Sequence, residues 1–432
     1  MSARTSARFA GLVAALAMTA SGLAVAAPAE ARPSWTEPRG VAPRGVAVDF
    51  PARVAVGEGG RTLLVFSCDR GTPRSPDWVR CARWRERSGT LRPLLTLAAE
   101  PDRWEDAVLE AVVSSRGVGT IVWSSARGID VRRVSPSGRV GGGRLLTTER
   151  TDDLSATAGT DGTVAVGWHS ASEGAQLRVV RPGGALQPVR TLPGTHVHAI
   201  SPAPAGGYAV LTTTGTEVPA QYGGTDTVHS GLTLSLVDPR GVVRSSARVA
   251  GAGQGDVAVL GGGTTVVAWW RPLGDRSVLV ERRYAGAADG RATTRQLLSS
   301  RRSGGAADLV VAPGGRVYLG WGSGVALLPR QQDGALRRTR VVGTSFPTSL
   351  HAARGRVVVL SATRSEAGKW LDVWTWDGAG PTSPRRRLLA DDADYSPFEN
   401  PTQFEVASGG GHVAVLNVTG SSSGWGEVVY RD

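Results

Sequence analysis

One short pattern recurs along this chain: a glycine, then alternating small and β-branched apolar residues, then often a tryptophan six positions on. It reads Gly162-Thr163-Val164-Ala165-Val166-Gly167-Trp168, then Gly263-Thr264-Thr265-Val266-Val267-Ala268-Trp269, then Gly315-Arg316-Val317-Tyr318-Leu319-Gly320-Trp321. Weaker copies begin at Gly60, Gly117, Gly207, Gly355 and Gly411, giving eight copies with a mean spacing of about 50 residues. A period of that length fits units of four short strands better than helical repeats. One such unit cannot bury its own apolar face, so the core has to form between copies.

Each copy is flanked in the same order. An apolar strand precedes the glycine turn, and a second strand ends near the tryptophan. A third follows, such as Val131-Arg132-Arg133-Val134, and a fourth ends in strings such as Leu145-Leu146-Thr147. Ser135-Pro136-Ser137-Gly138, Arg181-Pro182-Gly183-Gly184, Asp238-Pro239-Arg240-Gly241 and Asp333-Gly334 supply tight hairpins between third and fourth strands. No helical period of useful length competes after residue 31. The expected fold is all-β: a β-propeller of eight four-stranded blades, with seven as the alternative because the Tyr208 repeat is degenerate and long. A solenoid of stacked hairpins is the rival arrangement. The last repeat, 404–432, has room for three strands. Gly45-Val46-Ala47-Val48-Asp49 is therefore expected to supply the fourth and close the ring, which removes exposed sheet edges.

These units resemble those of exported multi-bladed propeller proteins of GC-rich bacteria and, more distantly, sialidase-type propellers, over residues 41–432. Sialidase-type propellers carry a Ser-x-Asp-x-Gly-x-x-Trp box between third and fourth strands. The nearest string here, Thr160-Asp161-Gly162-Thr163, precedes a second strand instead.

Residues 1–31 read as a secretory signal, with Arg4 and Arg8 ahead of an apolar stretch and small residues before Ala29-Glu30-Ala31. A short linker, 32–40, and a single domain, 41–432, are expected to follow. Cys68 and Cys81 are the only cysteines, and in an exported chain such a pair is expected to form a disulfide. No 18-residue apolar run follows the N-terminal stretch, so no transmembrane helix is expected. The net charge is +12, with Lys369 the only lysine among 49 basic residues. Basic runs such as Arg385-Arg386-Arg387 lack interleaved aromatics, so nucleic acid is not an expected partner. A monomer is expected.

In a propeller the innermost strand of each blade lines the central channel. Those strands are expected to open with Asp106, Asp153, His198, Asp256, Asp308, Ser349 and Gln403. Converging carboxylates at a channel mouth would suit Ca²⁺ or sugar hydroxyls, with Asp256 and Asp308 as the candidate metal ligands. The alternative is that each caps backbone N–H groups of the adjacent blade. Two loops pair aromatics with acids, as carbohydrate sites do: one contains Trp104, Glu105 and Asp106, the other Asp394 and Tyr395. His196 and His198 share one face of a strand, but sequence identifies no third ligand to make a zinc site. The segment from Thr213 to Leu232 is an insertion on the same face. No nucleophile elbow or phosphate-binding loop is present, and no cofactor is expected. The sequence favours a secreted, non-enzymatic module binding an extracellular glycan or protein. The alternative is a glycoside hydrolase or lyase of sialidase-like type using the channel-mouth carboxylates.

Overall fold

Among the described residues, the glycines that open repeats sit in turns that demand positive φ, among them +71° at Gly117, +82° at Gly162, +77° at Gly263 and +74° at Gly315. A Cβ is disfavoured in that left-handed region, so glycine fixes where the first strand turns into the second. The hairpins expected between third and fourth strands form at Gly138, Gly184 and Gly241, each donating its N–H to the carbonyl three residues back. Asp333-Gly334 lies outside the described residues. The computed structural model describes residues 39–431 except 44–45, 47, 72–74, 76, 100–107, 152, 220–224, 253–254, 301–306, 313–314, 322–323, 330–336, 341–347, 354–355, 366–367, 378–385, 391–402, 410–411 and 420–424.

The described strands form eight four-stranded antiparallel sheets, numbered here in chain order by their first strands. Those first strands are Val48–Val56, Leu109–Val113, Leu154–Ala158, His196–Pro202, Gly255–Val259, Asp308–Ala312, Thr348–Ala353 and Gln403–Gly409. Each contacts the first strand of the next sheet, and Gln403–Gly409 returns to contact Val48–Val56, so they make a closed circle. The eighth sheet has three strands from the C-terminal repeat, as expected, and its fourth comes from the N-terminal side. That strand is Arg39–Gly40, with Arg39 opposite Val428 and Gly40 opposite Glu427. The expectation for Gly45 to Asp49 is corrected: Val48 and Asp49 already belong to the innermost strand of the first sheet. The physical reason is reach, since a segment continuing directly into the channel wall cannot also lie on the outer edge of the neighbouring sheet. The ring thus begins inside the segment read as a linker.

The core lies between sheets. Leu146 of the second sheet packs with Leu154, Val164, Val166 and Trp168 of the third. Trp123, Trp168 and Trp269, the last residues of their repeat motifs, each sit in the apolar layer facing the preceding sheet. Phe66 takes that place between the eighth and first sheets. A buried tryptophan removes about 150–250 Å² from water. At about 25 cal/mol per Å² that is about 4–6 kcal/mol before chain entropy is subtracted. In the third and sixth sheets the residue before the tryptophan must be small. A Cβ on Gly167 would lie 2.7 Å from Val197 Cγ1, and one on Gly320 would lie 2.9 Å from Leu350 Cγ.

Cys68 and Cys81 are bonded, with Cα atoms 5.9 Å apart, and both are buried. They sit diagonally on adjacent strands, since Cys68 is opposite Val79 and Cys81 opposite Phe66. Closing a loop of this size contributes about 3 kcal/mol by the chain-entropy estimate. Thr160-Asp161-Gly162-Thr163 also has a local structural use. Asp161 accepts the Thr163 N–H at 3.0 Å and its hydroxyl at 2.6 Å, while Thr163 Oγ1 lies 2.5 Å from the Tyr208 hydroxyl on the fourth sheet.

Candidate functional site

The face on which the innermost strands begin, the upper face, is where ligand-binding residues were expected. Of those, Trp104, Glu105, Asp106, Asp394 and Tyr395 lie outside the described residues. Asp153, His198, Asp256 and Asp308 are described. Asp256 and Asp308 start or nearly start consecutive innermost strands. Asp256 accepts N–H groups from Val257 at 2.7 Å and, across the gap between sheets, from Leu309 at 2.7 Å. Asp308 repeats the device one sheet further on, accepting the Leu350 N–H at 2.8 Å. Ser201 makes the same kind of link from the fourth sheet to the fifth, accepting the Val259 N–H at 3.3 Å. From the fourth sheet to the seventh, polar side chains near the axis therefore fasten each innermost strand to the next, supplying acceptors for backbone N–H groups.

Burial, and then the charge of Asp308, raises the Asp256 carboxyl to about 7. Burial raises Asp308 to about 6, against the opposing effect of the Leu350 N–H. A carboxyl raised on folding binds its proton more tightly in the folded state. Its contribution to stability is complete below about pH 4 and is lost as pH rises through about 6 to 7. Asp308→Asn keeps an oxygen for the Leu350 N–H and removes the charge. At about pH 8 it is expected to be more stable than the parent by on the order of 1 kcal/mol, with no difference at about pH 4. Urea unfolding at the two pH values checks this, and equal stability at pH 8 would show that the carboxylate is not under strain from its burial.

Beside these acids the structure assembles a group that sequence showed only in part. His196 and His198 lie on the innermost strand of the fourth sheet, and His169 comes from the second strand of the third. His229 comes from the insertion. His169 stacks on His196 with ring centroids 4.2 Å apart and planes 12° from parallel. His229 meets His196 edge-on at 5.4 Å and His198 at 6.2 Å. Burial lowers His198, helped by the nearby His229, and burial lowers His229. Among the described residues no group of three or more His, Cys, Asp or Glu side chains is arranged to hold a metal ion. His169 was legible in principle, because it follows the motif tryptophan and the repeat register sets it against the next innermost strand. Nothing in the pattern placed His229.

The insertion is not a loop. It extends the second and third strands of the fourth sheet into a two-stranded arm, within strands Tyr208–Pro219 and Thr225–Val237. The arm belongs to the upper face, since it continues strands beyond the point where His196 begins the sheet. The opposite face holds an unanticipated feature: a cavity of about 750 Å³ at the lower ends of the innermost strands of all eight sheets. Its wall is mostly apolar, including Val56, Val113 and Val311, with Ser115, Thr160 and Glu58 among its polar groups.

The sequence matches no protein-family model and no curated protein. Solved structures do match. One is an ulvan lyase of a polysaccharide lyase family, at a TM-score of 0.50 and 8% identity, over 88% of this chain and 93% of that one. The propeller of Dos1 aligns at 0.46 and 8% identity, over 71% and 74% of the two chains. Virginiamycin B lyase from Staphylococcus aureus aligns at 0.43 and 9%, over 76% and 96%. The fold is a β-propeller. At such identities the likeness reaches the fold and no further, and the propeller's function has to be argued from its own residues.

Proposed function

We propose that this propeller is an exported, non-enzymatic binding protein of the bacterial kind, with eight blades, that holds an extracellular glycan or protein on its upper face. The observation that carries this reading is the arm raised from the fourth sheet beside the channel mouth, where the second strand runs six residues past the start of the innermost strand, against four in the fifth and seventh sheets. A projecting, polar hairpin adds contact surface for an extended ligand without disturbing the repeats. The carboxyl oxygens of Asp256 and Asp308 are engaged by backbone N–H groups, which favours a structural use for them over ion binding. The apolar N-terminal stretch within residues 1–31 and the disulfide support export. Among the described residues no helix is long and apolar enough to cross a membrane.

The test is a glycan array and a cell-surface binding assay with two proteins, the mature chain and a form in which Asn-Gly joins Thr213 to Leu232. Loss of at least about tenfold in affinity on removing the arm is expected, equivalent to about 1.4 kcal/mol. Unchanged binding would sink the assignment to the upper face. One observation favours the rival enzyme reading: two neighbouring carboxyl groups are both held protonatable near neutrality. Polymer cleavage abolished by Asp308→Asn would establish that reading instead.

A further inference from the structure

Four of the chain's six histidines form the cluster that joins the third sheet, the fourth sheet and the arm. Their hydrogen bonds fix where protons sit. His169 Nδ1 lies 2.7 Å from the Thr195 carbonyl, which only accepts, so Nδ1 carries a hydrogen. Thr195 Oγ1 donates to the Thr213 carbonyl at 3.2 Å and accepts the Gly215 N–H at 2.6 Å. The same oxygen lies 2.8 Å from His196 Nδ1, which is therefore the donor in that contact. His198 Nε2 accepts the Gly255 N–H at 3.3 Å, a bond that exists only while that nitrogen is unprotonated. The packed arrangement therefore requires His198 Nε2 to be unprotonated.

The backbone around the cluster is broken in register. Pairing shifts between Val197 and Ala199, leaving His198 without a cross-strand partner in the ladder, and shifts again between Thr213 and Thr214 and between Leu232 and Thr233. Gly231, at φ +74°, sits at the same level. Beyond these breaks Gly215–Pro219 and Thr225–His229 pair with each other, while the fourth strand's pairing with the third stops at Ser230. The arm therefore has a hinge at its base, and His229 is the arm residue that meets His196 and His198 across it.

We propose that the four-imidazole cluster is an acid-operated latch, in which neutral rings seat the arm on the propeller and their protonation releases it. Protonated imidazoles 4.2 to 6.2 Å apart repel one another, and a charged His198 loses the Gly255 hydrogen bond. Burial places His198 and His229 below the ordinary imidazole range. The seated form is therefore complete above about pH 6.5 and is lost as pH falls below it. The charged residues on the surrounding elements include Asp153, whose carbonyl accepts the His169 N–H, Glu173 in the following turn, Arg178 and Arg190 on the third sheet, Arg244 and Arg248 on the fourth strand of the fourth sheet, and Glu217 and Asp226 on the arm strands. Asp256, next to Gly255, takes up its own proton in the same range and so provides no growing anion to offset the new positive charge.

Hydrogen exchange of the whole chain at about pH 7.5 and pH 5.0, corrected for the intrinsic rate, tests the latch without any ligand. Residues 214–231 are expected to exchange at least about tenfold faster at the lower pH, while Thr62–Asp69 and Trp78–Arg85 on the first sheet change little. In a His196→Gln, His229→Gln variant the arm's corrected rate should no longer depend on pH. An unchanged rate in the parent, or the same acceleration in the variant, overturns the proposal. Proton NMR of the parent alone gives a second readout that does not require the variant to fold. His198 and His229 should titrate below the ordinary imidazole range and in coupled steps, and independent curves at about 6.5 for both would overturn the latch.

Discussion

Gly167→Val is expected to force the third and fourth sheets apart and to lower stability by about 3 kcal/mol or more. Any side chain at this position meets Val197, with Cγ1 at 2.7 Å and Cβ and Cγ2 at 3.0 Å from the first added carbon. Val197 is buried on a channel-lining strand and branches at Cβ, so it has no flexible end to swing away. Gly167 is itself paired on both sides, with Ser155 and Leu177, which prevents its strand from backing off. Denaturant unfolding gives the magnitude. Because Val197 stands between His196 and His198, the histidine NMR signals of any folded fraction should shift as well. A loss below about 1 kcal/mol with unshifted signals would mean that the two sheets are not in close contact at this point.

Trp168→Ala is the second large effect, at about 3–5 kcal/mol. Only 1% of Trp168 is exposed, and it fills the layer between the second and third sheets together with Leu146, Leu154 and Val166. None of these neighbours can close over the space an indole leaves without pulling one whole sheet toward another. Trp321 is the natural comparison, because it occupies the same motif position but is only partly buried against its cluster. Trp321→Ala should therefore be milder by at least about 1 kcal/mol. Equal losses would show that the motif tryptophan serves its own sheet rather than the junction between sheets.

The repeat was legible because the constraint on it is local and periodic. A turn needing positive φ, a small residue where backbones approach and a tryptophan to fill the junction each leave a mark at a fixed offset, as Gly162, Gly167 and Trp168 show. The closing strand was misplaced because two residues of ladder, Arg39 and Gly40, are too few to carry an alternation pattern. For the site, the positions of Asp256 and Asp308 followed from the strand starts, and of the two uses open to them the hydrogen bonds to Leu309 and Leu350 are backbone capping. The imidazole cluster was half visible. His196 and His198 announce themselves by spacing, whereas His229 reaches them through register shifts at the base of the arm, which have no sequence signature beyond Gly231.

The pairing of Arg39–Gly40 with Trp425–Arg431 also bears on the order of events as the chain is made. Every other ladder joins segments that are neighbours in sequence and can form as soon as they emerge, but this one joins residues separated by nearly the whole chain and consists of two residue pairs. Synthesis from the N-terminus leaves Arg39 and Gly40 waiting until Trp425–Arg431 has been made, after the other described strands. Those two pairs add to a closure that the innermost strands already make, since Gln403–Gly409 contacts Val48–Val56 and Ala414 and Leu416 pack against Val54, Leu64 and Phe66.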